Sequence, residues 1–138
     1  MSGTVATQTL TKKTRRRATS GALWAVQALL GLSFVSGGIL KVSGDPTMVE
    51  LFTTIGAGQW LRYLVGALEI AGGVGVLIPR LSGLAALGLV ALMVGATVTN
   101  LFVIEESPWV PIGFLLASAL VARGRWSKTA ALASAFRN

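Results

Sequence analysis

The chain contains no cysteine and no histidine, and only five of its 138 residues are acidic. Without cysteine there is no disulfide and no thiol redox chemistry, and without either residue nearly every transition-metal site is excluded for the chain acting alone. Haem held by His or Cys axial ligands is excluded on the same ground. Charge is scarce altogether: 12% of residues are Asp, Glu, Lys or Arg, about half of what a water-soluble domain carries. With 53% hydrophobic residues, so small a chain would present large apolar patches to water and aggregate. Lipid is the natural solvent for such a surface. The length allows one domain.

What is present is arranged in long apolar runs. Ala18 to Leu40 and Leu81 to Ile104 contain no charged residue, and Trp60 to Ile78 contains only Arg62 and Glu69. Ser107 to Ala122 is shortest and carries Pro108 and Pro111 in what would be its first turn, where proline is tolerated. A spanning helix takes about 20 apolar residues. The expectation is therefore an all-α integral membrane bundle of four transmembrane helices, at residues 20–42, 60–78, 81–104 and 108–122. A re-entrant last segment is the rival for the fourth. The basic run before the first span resembles a signal peptide, but its apolar part is too long for one and further spans follow.

The charges orient these spans. Lys12, Lys13, Arg15, Arg16 and Arg17 precede the first, Arg80 lies between the second and third, and Arg123, Arg125, Lys128 and Arg137 follow the fourth. Four spans put all of these on one side, and Asp45, Glu50, Glu105 and Glu106 on the other. Basic loops stay cytoplasmic, so both termini are expected in the cytoplasm. This distribution, and not the total of +7, is what matters: it points to a membrane surface, not to nucleic acid. Residues 18–124 form the expected transmembrane domain, between basic cytoplasmic tails at 1–17 and 125–138. The first tail is polar, rich in threonine and expected to lack regular structure; the second can form a short interfacial helix. Trp24 and Trp126 fall at the inner boundary and Trp60 and Trp109 at the outer one, as in an aromatic belt, with buried packing as the alternative.

Pro79-Arg80 predicts a tight hairpin between the second and third spans. In the first outer loop, Asp45-Pro46 is a helix start. Met48, Leu51, Phe52 and Ile55 follow at helical spacing and Gly56 ends the pattern, so a short amphipathic helix is predicted there. Ser33-x-x-x-Gly37, Ala67-x-x-x-Ala71, Ala91-x-x-x-Gly95 and Gly113-x-x-x-Ala117 supply small-residue faces for close helix packing.

Glu69 is the sharpest candidate functional residue. It lies nine residues from either end of its span, about 14 Å deep, where a carboxylate is costly and marks a site by default. The bland reading is a salt-bridged structural residue. Arg62 stands seven residues earlier on the same face. Lys41 from the first span, and Thr97 and Asn100 from the third, reach a similar outer level as candidate binding groups. Snorkelling to outer headgroups is the alternative for Lys41 and Arg62. Gln27 reads as an interhelical hydrogen-bond donor.

Ser36-Gly-Gly-Ile-Leu-Lys-Val42, then Gly44-Asp-Pro, Gly66-Ala-Leu-Glu-Ile-Ala-Gly-Gly73 and Ile78-Pro79-Arg80, followed by Gly88 to Leu101, resemble the DoxX-like family over Gly21 to Gly124. The resemblance implies a multi-pass four-helix protein of the bacterial cytoplasmic membrane. Some relatives are linked to thiosulfate:quinone oxidoreduction or to membrane complexes that detoxify oxidants. Lys41 and Glu69 occupy the positions of the family's lysine and glutamate. Asn100 stands where histidine is expected, which removes an acid-base group or ligand.

Two kinds of function remain open at this point. One is a non-catalytic subunit or anchor of a membrane redox or oxidant-detoxification complex, with membrane or peripheral redox proteins, or further copies of itself, as partners. The other is a quinone-binding oxidoreductase subunit in which Glu69 exchanges the proton and Lys41 or Asn100 hydrogen-bonds a quinone oxygen. No covalently bound cofactor is expected, and the electrons would come from a partner or a two-electron donor. A small-molecule transporter is a third reading, for which four spans are few.

Overall fold

Two faces with helical periodicity bring the chain together. On the first helix the buried positions include Leu23, Gln27, Leu30, Phe34 and Gly38; on the third they include Arg62, Gly66, Glu69, Gly73 and Val76. Each set advances by three or four residues and so lies along one side of its helix. The computed structural model describes the backbone of residues 2–137 and side-chain surroundings from Thr4; Met1 and Asn138, the ends of the two tails, lie outside the described residues. Among the described residues there are six helices and no strand. They are α1 (Ser2–Ser43), α2 (Pro46–Ile55), α3 (Gln59–Leu77), α4 (Ser82–Phe102), α5 (Trp109–Gly124) and α6 (Trp126–Arg137). The principal helices pack in a cycle, α1 on α3, α3 on α4, α4 on α5 and α5 back on α1, while α2 lies against α3 and α6 against α4.

The α1–α3 seam is the closest. A Cβ on Gly38 would stand 2.6 Å from the Gly66 carbonyl oxygen, and one on Gly73 would stand 2.8 Å from that of Gly31. Only hydrogen fits at these crossings, as expected where apolar helices associate by close approach in lipid. The seam therefore uses glycines seven residues apart. Of the small-residue faces expected from the sequence, Gly95 and Gly113 have open space beside them, and Ala67 and Ala71 are exposed. Small size permits contact without directing it, because a helix must also be rotated toward its neighbour.

The core holds Leu30, Phe34, Val76, Ala86, Leu89, Met93, Val121 and Ala122, with the Phe34 and Phe114 rings tilted at 5.3 Å. Around it the bundle is apolar outside as well as inside: Leu29, Leu32, Leu68, Val94, Val98 and Leu116 are all exposed. Such a surface calls for lipid. The four tryptophans lie at the surface too, which disposes of buried packing as their explanation. By length and composition α1, α3 and α4 are able to cross a membrane. Helix α5 is apolar but only 16 residues long, a rise of about 24 Å, which is short for the hydrocarbon layer.

The connection between α1 and α3 matches its prediction. Asp45 accepts a hydrogen bond from the Thr47 N–H at 3.2 Å, Pro46 occupies the first turn, Phe52 is buried, and Gly56 ends α2 at φ 83° with its N–H on the Phe52 carbonyl. That left-handed conformation suits glycine. The Pro79-Arg80 hairpin is tight, with the Leu81 N–H on Ile78 and the Ser82 hydroxyl on Pro79.

The polar N-terminal segment departs from expectation. Residues expected to lack regular structure continue α1 without a break. Thr9, Thr11 and Thr14 turn their hydroxyls back onto the carbonyls of Val5, Thr7 and Leu10, which satisfies their polarity within the helix. An apolar helix already nucleated by packing extends outward at little cost, since nucleation is the unfavourable step.

Candidate functional site

The site lies where the C-terminal end of α1 meets the first half of α3. Lys41 Nζ donates to Glu69 Oε2 at 3.1 Å, with 16% and 8% of the two side chains exposed. Glycine makes the room: a Cβ on Gly37 would stand 3.3 Å from that carboxylate oxygen, and one on Gly66 would press to 3.0 Å on Lys41 Cβ. The pair is thus embedded between two helix backbones, where the Coulomb attraction is little screened.

Arg62 holds the same residue by its main chain. Its Nη1 donates to the Lys41 carbonyl, its Nε donates to Gln59 Oε1 at 2.7 Å, and the guanidinium lies 4.3 Å from the Tyr63 ring centroid. The last carbonyls of a helix have no partner within it, and a cation there also complements the helix dipole. Arg62 therefore caps α1, and it is buried, at 5% exposure, instead of snorkelling. Lys41 is fastened twice, through its ammonium by Glu69 and through its carbonyl by Arg62.

Of the five residues singled out in the sequence, three come together and two do not. Thr97 donates to the Met93 carbonyl of its own helix at 2.7 Å. Asn100 donates to the Ser107 carbonyl at 2.9 Å, and its own carbonyl accepts from the Glu106 N–H at 2.8 Å. Both of its bonds shape the α4–α5 connection.

A second polar cluster, at the opposite end of the α1–α3 seam, was visible only in part. Gln27 is fully buried and donates to the Val76 carbonyl at 2.9 Å, the interhelical role expected of it. Its oxygen accepts from Arg125 Nε at 2.8 Å, while the other guanidinium nitrogens reach the hydroxyl and carbonyl of Ser20. The guanidinium also lies 5.5 Å from the Trp24 ring centroid. Arg125 had read as a tail charge. The available signal was Gln27 itself, because a buried amide has both a donor and an acceptor to satisfy.

Chemically, the first cluster is a carboxylate paired with an ammonium, and a guanidinium that satisfies a main-chain carbonyl and an amide oxygen beside them. Such a set locks two helices together. Residues 25–122 match the family model of the DoxX-like family. The chain belongs to that family. In this DoxX-like protein the matched region contains the glycine seam, the Lys41–Glu69 pair and helices α2 to α4 complete. The polar first turns of α1 and all of α6 lie outside it. No curated protein and no solved structure matches the chain.

Proposed function

We propose that this DoxX-like protein is a non-catalytic subunit of the bacterial cytoplasmic membrane, anchoring or stabilising a redox or oxidant-detoxification complex. One observation carries the reading: the charged groups inside the bundle already have partners within the chain. Lys41 is paired with Glu69, Arg62 is committed to the Lys41 main-chain carbonyl and to Gln59, and the Asn100 amide donates to a loop carbonyl. Among the described residues the buried side-chain polar atom without a partner is Thr129 Oγ1, on α6. A binding site would be expected to hold donors or acceptors in reserve for its ligand. In this proposal α5 crosses a locally thinned bilayer as the fourth span, the acidic loops face outward and both termini are cytoplasmic. Purification in native-lipid particles is expected to bring partner subunits with it, and Lys41→Ala to lower assembly without changing the activity of complexes that do assemble. Purification of the protein alone, with every membrane redox complex intact after its deletion, would reject the proposal.

A quinone-binding oxidoreductase subunit is the second reading, and one feature favours it. An apolar cavity of about 410 Å³ lies between α1 and α5, lined by Leu30, Ser33, Trp109 and Phe114 among others. Ser33 is one turn from Gly37, whose missing side chain leaves Glu69 Oε2 uncovered on that side. The lining suits a prenyl chain better than a quinone head, since it offers no charged group. Binding of menaquinone or ubiquinone that is lost in Glu69→Gln would favour this reading over the first; no binding at saturating quinone would remove it.

A further inference from the structure

The polar extension of α1 and the end of α5 flank a second, open and differently charged cavity of about 360 Å³. Lys12, Arg15 and Arg16 line it from one face of α1, with Ser20 below them, and Arg125 enters from the α5–α6 junction. Residues 12, 16 and 20 continue the same face that carries Leu23, Gln27 and Leu30 into the bundle. Among the described residues that line it, no side chain supplies these four cations with a counter-charge. The chain's five acidic residues are Asp45, Glu50, Glu69, Glu105 and Glu106, and none of them lines the cavity. Like charges gathered around a hollow repel one another unless an anion enters it.

Arg125 is what makes the hollow a built site instead of a charged surface. Gln27 and Ser20 fix its guanidinium with three hydrogen bonds. A guanidinium has five N–H donors, so donors remain in a preset fork that matches a phosphate. Depth agrees with this. Lys12 lies six residues before the apolar run that opens at Ala18, about 9 Å along the helix, and the arginines lie between. That interval spans the headgroup layer of a bilayer, and basic pockets between membrane helices at that level select anionic headgroups.

We infer that this cavity binds the phosphate-bearing headgroup of one anionic phospholipid, held by Arg125 and by Lys12, Arg15 and Arg16. The inference rests on the bilayer placement of α1 and is independent of the role proposed for Lys41 and Glu69. The test is native mass spectrometry of protein extracted from vesicles of phosphatidylcholine mixed with phosphatidylglycerol, since generic surface attraction does not survive transfer to detergent. Wild type is expected to retain one phosphatidylglycerol. The variant K12Q/R15Q/R16Q, changed at exposed helix positions, is expected to retain none. The control K13Q/R17Q/K128Q, which loses the same charge outside the cavity, is expected to retain it. Equal retention or equal loss in the two variants overturns the inference. So does displacement of the lipid by millimolar inorganic phosphate, which would make the occupant a soluble anion. Both variants keep the apolar run of α1, so membrane insertion of the same samples reports on the bilayer placement separately.

Discussion

Lys41 Nζ and Glu69 Oε2 stand 3.1 Å apart across the α1–α3 seam, so the charge deepest in the bundle is matched by one near a helix end. Replacing Lys41 by Met strands the carboxylate, and breaking a buried pair in this way costs about 3 kcal/mol. Adding Glu69→Leu to Lys41→Met removes the stranded charge and is expected to recover most of that loss. The double-mutant cycle, read from unfolding in mixed micelles, should show strong coupling. Simple addition of the two single effects would mean that the pair contributes nothing.

The glycines separate into two classes with opposite expectations. Gly38→Ala and Gly73→Ala drive a methyl group into a facing carbonyl at 2.6 and 2.8 Å, and overpacking of this kind costs about 2 kcal/mol each. Gly88→Ala, Gly95→Ala and Gly113→Ala meet open space. Those three should be neutral or should stabilise by up to about 1 kcal/mol, because alanine is the better helix former. Thermal melts of the five variants in one detergent check the division.

Arg125 is expected to tolerate no substitute. Arg125→Ala leaves the fully buried Gln27 oxygen unsatisfied, a cost of about 1–3 kcal/mol. Lysine restores the charge without the fork that reaches Gln27 and Ser20 together, so Arg125→Lys should recover less than half of the loss. In a Gln27→Leu background, by contrast, Arg125→Ala should cost less, because no buried oxygen is stranded and only the Ser20 bonds are lost. Melting temperatures of the wild type, the three single variants and the doubles Gln27→Leu/Arg125→Ala and Gln27→Leu/Arg125→Lys decide this.

The absence of native cysteine makes topology directly measurable by labelling single introduced thiols. Thr54→Cys and Ser107→Cys are expected to react with an impermeant maleimide added outside intact cells, and Arg80→Cys and Lys128→Cys only after permeabilisation. Labelling of Lys128→Cys from outside would make α5 a re-entrant segment and leave three spans.

Most of the architecture could be read along the chain because each step there depends on neighbours a few residues away. Apolar run length decided that the helices need lipid. Asp45, Pro46 and Gly56 defined α2, since capping and turn geometry are local. The depth of Glu69 followed from counting residues, and the shared face of Arg62 and Glu69 from helical period alone. Gln27 announced an interhelical bond because a lone amide in an apolar run needs a partner elsewhere.

The tertiary structure decided which partners those groups take. Distance along a helix is a count, but the pairing of two helices also depends on the rotation of each about its axis, and that is set by how side chains interlock around the whole bundle. Rotation turns Lys41 onto Glu69 while Thr97 and Asn100 face other bonds, and it selects Gly31, Gly38, Gly66 and Gly73 over equally small residues elsewhere. It also returns Arg125 to Gln27, 98 positions away in sequence, a relation that no local pattern encodes.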